Sequence, residues 1–82
     1  AVKAQELDLR VKAGDLSFYL EQVPFRLPGK TKHFVDFVTF KAVANLPMFD
    51  VHFVEVKGRD LALGKLKRKQ VEELFKINVE IV

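Results

Sequence analysis

The sequence predicts an α/β fold, more narrowly an α+β arrangement in the order α-β-β-β-α-β with a mixed central sheet. Apolar residues recur at helical spacing over 1–13 and 61–76. Between these helices, the segments 31–40 and 49–57 are rich in Phe and Val, which is typical of buried strands. With 82 residues, 49% of them hydrophobic and eight of them Phe, the chain is expected to form one small domain over 1–82.

The first helix is predicted over residues 1–13. Leu7 and Val11 recur at helical spacing, and Gly14 supplies a C-terminal stop. Because the pattern opens without a capping residue, the natural helix is expected to begin upstream of Ala1.

A strand is predicted over 16–27, where Pro24 indicates a bulge or an edge, and Pro28-Gly29-Lys30 predicts a tight turn. Strict alternation along the second strand places Asp36 on one face and both Val35 and Phe37 on the other. Apolar residues on both faces of this strand predict that it is central and covered on two sides. The remaining predicted elements are a strand over 31–40, a loop over 41–48, a strand over 49–57, a helix over 61–76 capped by Asp60, and a short strand over 78–82.

The last helix is predicted to face the sheet with an apolar stripe. The residues of this stripe are Leu63, Leu66, Val71, Leu74 and Phe75. Lys67 and Gln70 lie four residues from members of the stripe, so both are expected to project toward the sheet, where they would reach either the pocket of the carboxylates or a bound strand. Lys65, Arg68 and Lys69 are expected to face outward. A solvated rim of long side chains explains the same pattern and stays open as an interpretation.

Composition narrows the class of protein. No apolar stretch is long enough to span a bilayer, and no signal-peptide pattern is present, so no membrane partner is expected. The absence of Cys excludes disulfides and thiolate zinc sites within these residues. A net charge of +3 is consistent with a polyanionic partner. Basic residues cluster over 65–69, and Lys30 and Lys32 flank the turn.

Two carboxylates and a lysine stand on the apolar strands. Asp36 lies among Phe and Val, where a negative charge is costly unless a positive charge meets it. Glu55 and Lys57 are two residues apart and therefore share a face. If the two strands pair as a hairpin, Asp36 comes near Glu55, and both could hold one Mg²⁺ together with the Val56 carbonyl, waters and a phosphate oxygen. Lys57 would then hold the attacking water or offset charge on the phosphorane-like transition state. An ordinary surface ion pair between Glu55 and Lys57 is the alternative interpretation.

The two histidines are assigned weaker roles. Alternation places His33 on the face opposite Asp36 and His52 on the face opposite Glu55, so neither is expected to bind that metal. Both histidines are expected to be partly buried structural residues; for His33, which follows Lys32, contact with a phosphate is the alternative.

Asp36, followed by Glu55-Val56-Lys57 on the next strand, resembles the motif of the PD-(D/E)xK nuclease superfamily. The order α-β-β-β-α-β also resembles that superfamily. Within that superfamily the chain is similar to small phage and prophage endonuclease-like proteins over nearly its whole length. The matching segments are Ala13-Gly14-Asp15-Leu16, Leu20-Glu21-Gln22-Val23-Pro24-Phe25, Phe34-Val35-Asp36-Phe37 and Val54-Glu55-Val56-Lys57-Gly58.

The resemblance implies a restriction-endonuclease-like core that cuts DNA by a water attack dependent on Mg²⁺ or Mn²⁺. Asp36 and Glu55 would be metal ligands and Lys57 the catalytic lysine. The DNA-contacting side chains expected from the residues themselves are Lys67, Gln70, Lys65, Lys32 and His33. A homodimer with one site per chain would suit cleavage of two strands, and a phage or prophage origin would place the protein in the cytoplasm of a bacterial host.

The resemblance also implies a further acidic residue from the first helix. That helix offers Glu6 and Asp8, and its register would place the expected Glu just before Ala1. The proline expected ahead of the first Asp is replaced by Val35.

A non-catalytic nucleic-acid-binding domain is the alternative function. It could be a degenerate nuclease, or a double-stranded RNA-binding domain, which shares the order α-β-β-β-α and reads A-form shape through phosphate contacts. Such a domain needs neither Asp36 nor Glu55, which would repel phosphates in the absence of a metal. The segment 77–82 also extends past the helix that should end an RNA-binding domain.

Overall fold

A computed structural model describes residues 2–56 and 62–82 of the chain. Its elements are α1 (Val2–Lys12), β1 (Phe18–Leu27), β2 (Thr31–Ala42), β3 (Phe49–Glu55), α2 (Ala62–Phe75) and β4 (Val79–Ile81). The predicted α-β-β-β-α-β order and the mixed sheet are confirmed. Asp60, the predicted helix cap, and Lys57, the end of the predicted third strand, lie outside the described residues.

The four strands form one sheet in the order β1-β2-β3-β4. The pairs β1/β2 and β2/β3 are antiparallel, whereas β4 is parallel to β3 and is reached through α2. The predicted turn closes the β1/β2 hairpin, where Gly29 adopts a φ of +81° and Thr31 donates its hydroxyl to the Pro28 carbonyl. Pro24 lies on β1, an edge strand of this sheet, as its missing amide requires.

Helix α1 covers one face of the sheet. Its Leu7 is 1% exposed and forms a buried cluster with Leu16, Phe37 of β2 and Val54 of β3. Gly14 ends the helix with a φ of +85°, as its position in the sequence predicted. Phe37 and Val54 are opposite each other in the β2/β3 register, so their side chains mark the face of the sheet that α1 covers.

Helix α2 covers the other face of the sheet. Phe75 of α2 meets Phe25 of β1 at 5.0 Å between ring centroids, and Phe25 in turn meets Phe53 of β3 at 6.0 Å. Because Phe53 and Val54 are adjacent on a strand, they point to opposite faces, so the two helices sandwich the sheet. The prediction that β2 is covered on both sides is therefore confirmed.

The predicted inward stripe of α2 is only partly correct. Val71 is fully buried, but Leu66 and Leu74 are 56% and 53% exposed, and Gln70 is exposed as well. The buried side of the helix instead runs through Arg68, which was expected to face outward and approaches Glu55.

The physical reason is that two charged residues take the inward positions beside Val71. Arg68 lies one turn before Val71 and faces a buried carboxylate. Glu72 accepts a hydrogen bond from the Val79 amide at 2.9 Å and so fixes the start of β4. The helix is therefore rotated to bring charges to specific partners, at the cost of exposing two leucines. No helix within the described ranges is long and apolar enough to cross a membrane.

Candidate metal and nucleic-acid site

The pairing of β1 with β2 is interrupted at one position. The register runs continuously on both sides, from Phe18 opposite Phe40 to Leu27 opposite Thr31, yet Gln22 and Asp36 do not pair. Gln22 has a φ of +51°, in the left-handed region that costs energy for a residue with a side chain. Asp36 thus lies at an irregularity of the sheet.

The interruption reverses which side chains point to which helix. His33 contacts Glu55, which shares the α2 face with Phe53, whereas Phe37 belongs to the cluster beneath α1. His33 and Phe37 are four residues apart and would share a face on an unbroken strand. The expectation that His33 lies away from the metal-binding carboxylates is therefore wrong, since the break at Asp36 moves it onto the face of Glu55.

The Asp36 carboxylate links β2 to β1 and to the residue that follows β3. One oxygen accepts a hydrogen bond from the Val56 amide at 2.9 Å, and the other accepts one from Nε2 of Gln22 at 3.1 Å. Because Val56 follows Glu55 directly, Asp36 lies beside the carboxylate-bearing end of β3, as hairpin pairing predicted. The described contact of Val56 with Asp36 is through its N–H group.

The Glu55 carboxylate is held asymmetrically. Its side chain is 12% exposed, and Oε1 accepts a hydrogen bond from Nε2 of His33 at 2.8 Å. The other oxygen, Oε2, is buried and has no hydrogen-bond partner among the described residues, with Nε of Arg68 at 4.0 Å. Two cationic or cation-capable groups therefore lessen the cost of burying this charge, and one oxygen keeps unused acceptor capacity.

His33, Arg68 and Gln22 were not foreseen as partners of the two acids. Strict alternation of side chains predicted His33 on the opposite face of the sheet, and the predicted apolar stripe of α2 placed Arg68 on the solvent side of the helix. The one available signal was the charge of Glu55 itself, since a carboxylate on a buried strand requires a cation nearby. Nothing in the sequence marked Gln22 as the residue that breaks the strand.

The site was also predicted to include Lys57 and an acidic residue of the first helix. Lys57 lies outside the described residues. Of the first-helix acids, Asp8 accepts a hydrogen bond from the Tyr19 hydroxyl at 2.6 Å, and Glu6 pairs with Lys3 at 3.3 Å. The hydrogen bond to Asp8 is the main reason that the pKa of Tyr19 rises to about 12. The described contacts of both acids thus stay within α1 and β1.

The donor set of Asp36 and Glu55 fits a hard divalent cation. Carboxylate oxygens are the ligands that Mg²⁺ prefers, and Mg²⁺ is commonly bound through one or two carboxylates plus water and substrate phosphates. Within the described ranges, no group of three or more acidic or histidine side chains is placed to hold a metal. If a cation were bound here, solvent and substrate would have to supply most of its ligands.

A basic groove of about 350 Å³ lies at the hairpin end of β1 and β2. It is lined by Arg26, Lys30 and Lys32, and no acidic side chain is among the described residues that line it. Arg26 and Lys32 are directly opposite in the register, where like charges destabilise a strand pair. Lys32 and Lys65 are exposed and Lys67 is half-buried.

Comparison of the chain with protein-family models, curated proteins and solved structures returns no match. Any assignment of function therefore depends on the residues and their geometry.

A second groove, of about 460 Å³, lies on the α1 face and contains His52. Nδ1 of His52 meets Glu80 at 2.5 Å and Nε2 meets Asp50 at 3.2 Å. The hydrogen bond to Glu80, followed by that to Asp50, raises the pKa of His52 above its ordinary value. Thr39 lies opposite His52 in the register and is 4% exposed, but both ring nitrogens are taken, so the pair does not form a nucleophile–base couple. His52 lies away from Glu55, as expected.

Proposed function

We propose that the chain is a metal-dependent DNA endonuclease of the PD-(D/E)xK type, with a restriction-endonuclease-like core. The observation that carries the proposal is the buried Oε2 of Glu55, which lacks a hydrogen-bond partner among the described residues, one residue from the amide that Asp36 binds. A bound cation would neutralise this oxygen and Asp36 together. The element order and the mixed sheet are compatible with the core that the sequence resembles.

The cation, Mg²⁺ or Mn²⁺, would polarise a phosphoryl oxygen and lower the pKa of an attacking water. Asp36 and Glu55 would hold it, each fixed by its own partners. The Val56 amide and Gln22 orient Asp36, while His33 orients Glu55 and Arg68 supplies a positive charge 4.0 Å from Oε2. Side chains locked in this way keep donor atoms in place without reorganisation when the substrate arrives.

DNA is proposed as the substrate because Arg26, Lys30 and Lys32 line the groove at the β1/β2 hairpin, and no acidic side chain is among the described residues that line it. The opposed Arg26 and Lys32 repel each other until a polyanion lies between them. Lys65 and Lys67 of α2 are proposed as further phosphate contacts. If the gene belongs to a phage or prophage, the nuclease would act in the cytoplasm of a bacterial host. A homodimer would supply one active site for each DNA strand.

A non-catalytic nucleic-acid-binding domain is the second candidate. The partial neutralisation of Glu55 by His33 and Arg68 favours it, because such a carboxylate is tolerated without a metal. Against an RNA-binding domain of the α-β-β-β-α type, β4 pairs with β3 and completes the sheet.

A nicking assay separates the two candidates. Supercoiled plasmid is incubated with the protein and Mg²⁺ or Mn²⁺, and Asp36→Asn, Glu55→Gln and Lys57→Ala are each expected to reduce nicking by at least about 100-fold. Glu21→Ala, an exposed carboxylate change on β1, is the matched control and should cut as the natural sequence does.

Two further measurements make the result decisive. Every variant is tested for folding by circular dichroism and for DNA binding in EDTA, where the metal cannot contribute. In parallel, millimolar Mn²⁺ should raise the melting temperature of the natural sequence, because a ligand that binds only the folded state stabilises it, and Asp36→Asn should remove the shift. If the three substitutions leave cleavage unchanged, the mechanism is refuted. If the protein binds DNA but neither cuts it nor is stabilised by metal, the second candidate is favoured.

A further inference from the structure

Five apolar side chains form a patch on the sheet, which we call the aromatic patch. Its members are Phe18, Leu20, Phe40, Phe49 and Val51. The rings of Phe18 and Phe40 stack with centroids 4.4 Å apart, and Phe49 meets them edge-on at 5.5 and 5.9 Å. These geometries are those of favourable aromatic pairs, so the patch is an organised surface.

The aromatic patch occupies the part of the α2 face that α2 leaves open. Phe40 is opposite both Phe18 and Val51 in the register, and Val51 alternates with Phe53 onto the α2 face. The ring contacts of α2 reach Phe25, near the other end of β1. The helix therefore covers one end of this face and leaves the patch at the other.

The exposure of the patch is large for a small domain. Phe18 is 41% exposed, Leu20 48%, Phe49 47% and Val51 37%. With about 200 Å² for an aromatic side chain, the strand residues together present on the order of 350–400 Å² of apolar surface, comparable to the largest patch of a typical monomer. Leu46 and Met48 are more than half exposed in the loop that joins β2 to β3, directly before Phe49.

The area is enough for a weak symmetric interface. Two copies of the patch with this loop would bury roughly 1,000 Å² in total, which is the lower limit for specific association. Pairing of the patch with itself gives an isologous contact and a closed dimer, the commonest form of oligomer.

The chemistry of the surface decides between possible occupants. The described residues on this face of the sheet between Phe18 and Leu20, Val38 and Ala42, and Phe49 and Phe53 are all apolar. Single-stranded nucleic acid needs cations beside its stacking platforms, and the cationic groove lies at the opposite end of the β1/β2 hairpin. An uncharged partner surface is required, and the patch itself provides one.

We propose that the aromatic patch is the interface of a homodimer of this chain. Phe49 and Glu55 are six residues apart on β3, about 20 Å at the usual rise per residue, so the contact leaves the carboxylates accessible. The inference is independent of nuclease activity, since it depends only on the exposure and composition of the patch.

The test measures the mass of the protein in solution by sedimentation at concentrations from about 1 µM to 1 mM, which spans the affinity expected for such an area. The natural sequence should reach twice its 9.4 kDa chain mass as concentration rises. Phe49→Glu and Val51→Glu should remain monomeric throughout. The matched control is Leu74→Glu, an equally exposed apolar residue on α2, and it should dimerise as the natural sequence does.

A second reporter guards against variants that fail to fold. The chain contains no Trp, so Phe49→Trp introduces a single indole into the patch. Its emission should shift to the red when the protein is diluted, as the dimer dissociates and the indole meets water. A natural sequence that stays monomeric at the highest concentration, a dimer that survives folded Phe49→Glu, or equal dissociation of folded Leu74→Glu would each overturn the proposal.

Discussion

The substitution Asp36→Ala tests whether the break in the sheet is held by its carboxylate. It removes two hydrogen bonds, from the Val56 amide and from Gln22, and leaves the amide without its described partner. Hydrogen bonds to charged groups contribute about 1.5–3 kcal/mol each when buried. Since Asp36 is half-buried and Gln22 is exposed, we expect a total loss of about 2 kcal/mol in the free energy of unfolding.

That loss is easily measured in a domain of this size. A change of 1 kcal/mol shifts the melting temperature of a 60–100-residue domain by about 4–8 °C, so Asp36→Ala should melt roughly 8–16 °C lower. Asp36→Asn keeps one acceptor and should lose about half as much. Both are followed by circular dichroism in EDTA, with urea unfolding to confirm an unchanged slope with denaturant.

The control is Glu21→Ala, which removes an exposed carboxylate next to Gln22 and should change stability by less than about 0.5 kcal/mol. A melting temperature for Asp36→Ala within about 2 °C of the natural sequence would show that the two hydrogen bonds do not hold the break. The distinction matters for the nicking assay, because it shows which variant can lose activity without losing the fold.

Two other predictions concern charge. Because the pKa of His52 is raised in the folded state, its ion pairs stabilise the fold fully below pH 6.5 and are lost as the pH rises through the folded pKa. The free energy of unfolding should therefore fall above pH 6.5. The substitution His52→Gln should make this decline smaller. Because His52 is half exposed, the change should stay below about 1 kcal/mol in urea titrations, and an equal pH dependence in the variant would contradict this. Lys67→Ala should lower the salt dependence of DNA affinity by a slope of about 1. An unchanged slope would make Lys67 structural, and exposed Lys69→Ala is its comparison.

The order of elements was predictable because each signal is local. Gly14 ends α1 and Gly29 turns the hairpin through their positive φ angles, and both are readable from position alone. The runs of Phe and Val gave the strands for the same reason. These features depend on neighbours in sequence and need no knowledge of packing.

The faces were harder to predict because one irregular residue reverses them. The positive φ of Gln22 cannot be inferred from its side chain, since Gly or Asn is the usual choice there. Because of the break, the His33 side chain lies on the same face as Glu55, and a prediction from strict alternation could not place it there. The error in α2 has a different origin: Arg68 turns inward because Glu55 attracts it, which is a tertiary interaction.

The break and the candidate site have a common cause in this chain. A regular strand would place Asp36 wholly on one face, whereas at the interruption its carboxylate accepts a hydrogen bond from the amide of Val56, which directly follows β3. The same reversal brings His33 to one oxygen of Glu55 and leaves Oε2 without a described hydrogen bond. A purely structural ion pair gains stability by satisfying both oxygens, so this asymmetry is unfavourable in the absence of a ligand. A cation would gain most at that oxygen, because its desolvation has already occurred on folding.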